Sequence, residues 1–252
     1  MFRRIVFSSL LVGLIAGVLL SGIQIVAVNP IIFAAESFEL PEVEPASGAH
    51  DHGHGDDGHG HHHHDHDAWA PADGVERTFY TVLSNVLAGI GFALVLSALM
   101  SQFQNRASVA KGLLWGAGGY IAFYLAPAVG MPPEIPGIEA PPVEYRQLWW
   151  MAAVTGVGAG LLVLSFAPVK FKVLSVLLMA APYLLPIPHA QGPAFAHPDP
   201  AAVEQLTALH QQFIWTTAGA NFAFWVALGV ASAWFVSRMV AQPTQNNDNA
   251  YA

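Results

Sequence analysis

The sequence predicts an all-α integral membrane protein, a bundle of six transmembrane helices with five as the alternative count, carrying a disordered His-rich outer loop. Three observations predict it. Of 252 residues, 54% are hydrophobic and only 10% charged, with a mean hydropathy of +0.46, which is outside the range of an ordinary soluble globule. Several uncharged apolar runs approach or exceed the ~20 residues that an α-helix needs to cross a ~30 Å hydrocarbon core. Between the first two runs lies the block "HDHGHGDDGHGHHHHDHD".

Five runs lack Lys, Arg, Asp and Glu: Ile5 to Val28, Phe79 to Met100, Gly112 to Val129, Leu148 to Ala167 and Phe213 to Val236. The sixth, Val173 to Pro188, is shorter and holds Pro182, Pro186 and Pro188, so its alternative is a bent or re-entrant piece. Arg3 and Arg4 before the first run resemble the start of a secretory signal. That run is longer than a ~7–15-residue signal core, however, so the expectation is an uncleaved helix over 1–28. An outer loop then covers 29–77 with the His/Asp block at 50–67. The remaining bundle covers 78–238, with a Pro-rich outer loop at 130–146 and another at 189–211, followed by a polar tail at 239–252.

Charge sets the expected orientation. With six spans and the N-terminus inside, seven of the nine basic residues face inward: Arg3, Arg4, Arg106, Lys111, Lys170, Lys172 and Arg238. The positive-inside rule therefore places both termini in the cytoplasm and the His-rich loop outside. Every acidic residue except Asp248 falls on the outer face, so the net charge of -8 is an outward field that concentrates cations. Within the spans, Gly13 with Gly17, Gly112 with Gly116, and Gly156 with Gly160 are small-xxx-small pairs that allow close helix approach. Tyr145, Trp149 and Trp150 suit an interfacial belt.

The block at 50–67 holds nine of twelve histidines and five aspartates, spaced by four glycines. Neutral imidazole binds borderline dications such as Zn, Ni, Cu(II) and Co(II), and glycine lets the chain wrap. The candidate ligands are His50, His52, His54, His59, His61, His62, His63, His64 and His66, with Asp51, Asp65 and Asp67. Such a flexible set follows the Irving–Williams order and does not select cobalt by itself. The alternatives for the block are a solvated tether and a pH sensor. His189, His197 and His210, with Glu134 and Glu139, are expected on the same side as the mouth of a pathway. Gln24, Asn85 and Asn221 are polar residues within the spans; they line a cation path or make interhelical hydrogen bonds of ~0.6 kcal/mol each.

Other classes are disfavoured. There is no cysteine, hence no disulfide or thiolate ligand, and the six methionines form no Met-x-x-x-Met pair for a Cu(I) path. No carboxylate lies inside a run, which counts against self-contained proton coupling. Nucleotide-loop and hydrolase signatures are absent, so the chain is not expected to be an enzyme, and its few basic residues give no basis for nucleic-acid binding.

The opening "MFRRIVFSSLLVGLIAGVLLSGIQIVAVNPIIFAAESFE", the His-rich loop, "ERTFYTVLSNVLAGIGFAL", "KGLLWGAGGYIAFYLAPAVGMPPEIPG", "YRQLWWMAAVTGVGAGLLVL" and the region closing on "NFAFWVALG" together resemble the predicted cobalt transporter subunit family CbtA. The similarity extends from Phe2 to about Arg238. It implies a protein of the bacterial cytoplasmic membrane with about five spans, cobalt supply for cobalamin synthesis, and a small one-span, His-bearing partner of the CbtB type. No ligand residues are carried over from it. The expected function is therefore a Co2+ uptake subunit with no tightly bound cofactor, embedded in the lipid bilayer, with Ni2+ or Zn2+ as alternative cargo. The rival reading is a membrane-anchored metal-binding accessory or sensor subunit that feeds a separate permease.

Overall fold

The computed structural model describes residues 2–39, 71–103, 108–189 and 192–240; the His/Asp block and the end of the polar tail lie outside them. Helix α1 (Phe2–Ile23) continues through a π-helical turn (Gln24–Val28) into α2 (Asn29–Glu36). Helix α3 (Val75–Phe103) returns, and α4 (Val109–Tyr120) passes through a second π-helical turn (Ile121–Leu125) into α5 (Ala126–Gly130). Helices α6 (Val143–Phe166), α7 (Lys172–Ala180) and α8 (Pro200–Val240) complete the chain.

Both π-turns have the same sequence cause. Each ends two residues before a proline, Pro30 in one helix and Pro127 in the other. Proline has no N–H, and its ring crowds the carbonyl four residues back. A locally widened turn accommodates that mismatch without breaking the helix.

Among the described residues, five helices are long and apolar enough to cross a membrane: Arg3–Glu36, Val75–Phe103, Val109–Gly130, Val143–Phe166 and Pro200–Arg238. Six spanning helices are thus not confirmed, and the alternative count of five is what the described residues supply. The run at 173–188 gives nine-residue α7, about 14 Å long, then a 3-10 turn (Ala181–Leu184) and non-helical chain. The cause is again proline: α7 stops at Ala180, and Pro186 and Pro188 cannot donate to a continuing helix.

The chain nevertheless makes a sixth passage along the bundle. Ser175 and Met179 lie against Gly160, Leu178 and Pro182 against Gly156, and Tyr183 against Trp149, so this segment runs antiparallel to α6. Beyond it, Phe195 forms a bridge with Ile138 of the Pro-rich stretch. The start of α1 and the end of α8 therefore share one end of the bundle, the terminal end. Residues 131–142 and 192–199 lie at the other, the loop end.

Close helix contacts set the bundle's width. A Cβ at Gly13 or Gly17 would strike the backbone of α3 at Ile90 or Val86, and one at Gly116 would strike the Trp225 carbonyl of α8. Gly156 and Gly160 receive the side chains of Pro182 and Met179 and the backbone carbonyls of Leu178 and Ser175. Backbone-to-backbone approach of this kind replaces the hydrophobic drive that lipid cannot supply between helices. Leu87, Leu114 and Val176 point outward and are exposed, as lipid-facing side chains are.

Two further expectations change. Residues 29–36 and 200–211, expected in loops, are helical, which extends α1 and α8 beyond the bilayer thickness at the loop end. Asp199 caps α8, accepting from the Ala201 N–H at 2.9 Å, and Pro200 occupies the first turn, where its missing N–H costs nothing. Trp149 does not join an interfacial belt. It is 4% exposed and fills the space beside Gly130, whereas Tyr145 and Trp150 are exposed.

Candidate functional site

A largely apolar recess with one polar side opens at the loop end between the α1–α2 helix, the start of α3, and α8. Its cavity of about 810 Å³ is lined on the polar side by Gln24, Asn29, Arg77, Thr78, Thr81 and Thr217. Gln24 lies in the first π-turn. Behind it, the Asn85 side-chain amide donates to Gln24 Oε1 at 2.6 Å and to Ser21 Oγ at 3.1 Å, tying α3 to α1. Both expected polar residues of these two helices therefore meet, in the arrangement anticipated for interhelical bonding.

On the facing side, Thr217 Oγ1 lies 3.1 Å from the Tyr124 hydroxyl, which belongs to the second π-turn. Thr217 Oγ1 also lies 2.7 Å from the Phe213 carbonyl and 3.1 Å from the Ile214 carbonyl, and when its proton goes to either of these Tyr124 is the donor in the pair. Asn221 donates to the Thr217 carbonyl at 3.0 Å, a bond within its own helix. His210, Thr217 and Asn221 stand seven and four residues apart, which places them in one row along α8. The second π-turn is thus bonded to this row of α8, and Gln24 of the first shares the recess with Thr217.

Ions sit only at the rim of the recess. Arg77 pairs with Glu36 at 2.7 Å and with Asp73 at 3.2 Å, and its guanidinium lies over the Phe33 ring. This joins the end of α2 to the start of α3 and offsets the arginine charge. Deeper in, the donors are neutral hydroxyl and amide oxygens. Such groups replace water around a hydrated cation but bind a borderline dication weakly compared with imidazole, so the arrangement suits passage more than storage.

The expected mouth is only partly assembled. His210 Nε2 lies 3.0 Å from the Pro133 carbonyl, an acceptor only, so in the neutral ring that nitrogen carries the proton and Nδ1 keeps its lone pair. A backbone carbonyl orients metal-ligating histidines in the same way. His197 is set oppositely: its Nδ1 accepts from the Asp199 N–H at 3.1 Å, which leaves Nε2 protonated in the neutral ring. Glu134 is paired with Arg146 at 3.1 Å, and His189 and Glu139 are exposed. His197 shares a smaller cavity, about 240 Å³, with Glu39.

Among the described residues no three His, Asp or Glu side chains converge on a point that could hold a metal ion. The block from His50 to Asp67, with its proposed ligands, lies outside the described residues.

The sequence reading missed Thr217, Tyr124, Ser21 and Thr81. Pro30 and Pro127, each inside an apolar run, were the available signal for the two π-turns. The spacing of His210, Thr217 and Asn221 was the signal for the row on α8.

A family model described as "Probable cobalt transporter subunit (CbtA)" matches residues 2–237. No curated protein and no solved structure matches the chain.

Proposed function

The chain belongs to the CbtA family of probable cobalt transporter subunits, and from that premise we propose that it takes up Co2+ by two separate devices, capture on the His/Asp block and passage through the recess. Glu39 and Pro71, the described residues that flank the block in sequence, both lie at the loop end, where the recess opens. Tethering raises the local concentration of captured metal where passage begins. The loop end is the outer face of a bacterial cytoplasmic membrane, because the basic residues Arg3, Arg4, Lys111, Lys170 and Arg238 belong to the terminal end.

The observation that carries this reading is that Gln24 and Thr217, which line the recess, are each hydrogen-bonded to a polar side chain of another helix, Asn85 and Tyr124, within an otherwise apolar bundle. His210, with a free Nδ1 lone pair, is the relay between block and recess. A small one-span partner bearing histidines completes the transporter, and the cobalt serves cobalamin synthesis. The chain is not an enzyme; the metal is cargo, with Ni2+ and Zn2+ as competitors.

One observation favours the accessory reading instead: among the described residues the bundle offers no cluster of three strong metal donors. Uptake of radioactive cobalt into proteoliposomes decides between the two. With this chain, alone or with its small partner, lumenal cobalt should exceed that of protein-free vesicles once surface-bound metal is stripped. Metal held on the surface with none in the lumen, in both preparations, would leave the accessory role.

A further inference from the structure

We propose that Phe92, Phe123, Phe224 and Trp225 form an aromatic gate that closes the recess toward the terminal end, so that the structure is the loop-end-open state of the transporter. This deepens the reading of the recess as the metal route and rests on it. Phe92 of α3 is the hub: its ring lies 4.9 Å from Phe123, 4.8 Å from Trp225 and 6.3 Å from Phe224, while Phe123 stacks on Trp225 at 5.5 Å. The four rings come from three strands of the bundle, α3, the second π-turn and α8.

Their position between two polar zones distinguishes them from ordinary core. Above them, toward the loop end, α1 carries Ser21, α3 carries Asn85 and α8 carries Asn221. Below them, α1 carries Ser9, α3 carries Ser97 and α8 carries Ser232, all at most 1% exposed. Ser9 Oγ lies 3.3 Å from Ser97 Oγ, and the Ser232 hydroxyl is buried with no partner. On each helix the two polar positions are eleven or twelve residues apart, an apolar interval of about 17 Å with the rings inside it.

Ser9 and Ser97 are small enough to serve helix contact and are hydrogen-bonded, but the unpartnered Ser232 hydroxyl is a net cost to a bundle held by packing alone. A route that is wet in another state uses it. In the present state the rings exclude water and therefore block a hydrated dication. Phe123 is placed to move, because it lies within the π-turn, where the helical register is already shifted; π-bulges recur at functional positions. Beneath the rings, Gly119 has no room for a Cβ against Trp225, which keeps that indole seated.

The chain has no cysteine, so a single introduced thiol reports its own access to water. Thr217→Cys and Ser232→Cys would be treated with a charged, membrane-impermeant thiol reagent, in intact cells and in inverted vesicles. Thr217→Cys should react from one membrane face only, and Ser232→Cys should stay unreactive from that face. Adding Phe92→Ala or, separately, Phe123→Ala should speed labelling of Ser232→Cys from that face by about tenfold or more, whereas Phe92→Leu should keep it closed. The gate is overturned if Ser232→Cys already labels from that face with all four rings present. It is equally overturned if neither alanine variant, eluting as a single species in detergent, exposes the thiol. Labelling that responds as expected while no variant moves cobalt would uphold the gate and remove the metal-route reading.

Discussion

The loop-end and terminal halves of the bundle are built from the same apolar alphabet and are held together differently. At the terminal end, helices meet mainly backbone to backbone, with the Ser9–Ser97 hydroxyl contact beside them: Gly112 and Gly116 lie against Gly229 and Trp225, and Gly13 lies against Gly89. At the loop end, side-chain hydrogen bonds join them, Asn85 to Gln24 and Tyr124 to Thr217, around an open recess. Backbone contact fixes a single geometry, since neither side can give way. Hydrogen-bonded polar side chains can exchange partners with water or a hydrated ion. The difference separates the half that holds the fold from the half that handles cargo.

Substitutions should break this comparison by region. Gly116→Val at the terminal end should have the largest effect. Its new side chain meets the Trp225 carbonyl, and overpacking of ~1–3 kcal/mol is a lower bound where backbone is the obstacle. Loss of the monodisperse peak in detergent and a lowered Tm would show it. Asn85→Leu at the loop end should do the reverse, lowering the maximal rate of cobalt uptake severalfold while its two lost interhelical hydrogen bonds cost only about 1 kcal/mol of stability. A large fall in Tm would reassign Asn85 to the structural half.

Arg77→Gln removes two ion pairs at the recess rim, both with partners at least 30% exposed. Exposed pairs are worth ~0.2–1 kcal/mol, so the Tm should fall only slightly. The smallest effect belongs to Gly22→Ala, where an added methyl meets nothing within 4 Å. A change within ~1 kcal/mol, toward stability, is expected from helix propensity. Thermal unfolding of Gly22→Ala beside Gly116→Val is then a direct measure of how far glycine serves contact rather than composition.

Much of the terminal half was legible in the sequence. The pairs Gly13 with Gly17, Gly112 with Gly116, and Gly156 with Gly160 all lie at helix contacts, because small residues four apart share a helix face whatever the partner is. Less of the loop end could be read. Charge and proline at 29–36 and 200–211 suggest loops to a hydropathy reading, although Asp199 followed by Pro200 is a helix-start signal in its own right. Trp149 shows the limit from the other side. Its place near a helix start suits a membrane interface, but only the helix rotation turns it toward Gly130. Thr217 and Tyr124 were hidden for the same reason, since a hydroxyl in an apolar run does not declare which neighbour it faces. The 173–188 segment combined both problems: its prolines declared a broken helix, and the tertiary contacts with Gly156 and Gly160 show that the chain still traverses the bundle.

The central claim is that capture and passage reside in different places. It is tested most directly by the concentration dependence of cobalt uptake in proteoliposomes for two variants, one lacking residues 50–67 and one carrying Asn85→Leu with Thr217→Val. The account predicts that the deletion raises the cobalt concentration at half-maximal uptake and leaves the maximal rate unchanged, and that the double substitution lowers the maximal rate and leaves that concentration unchanged. Identical profiles for the two variants, or uptake at low cobalt untouched by the deletion, would contradict it.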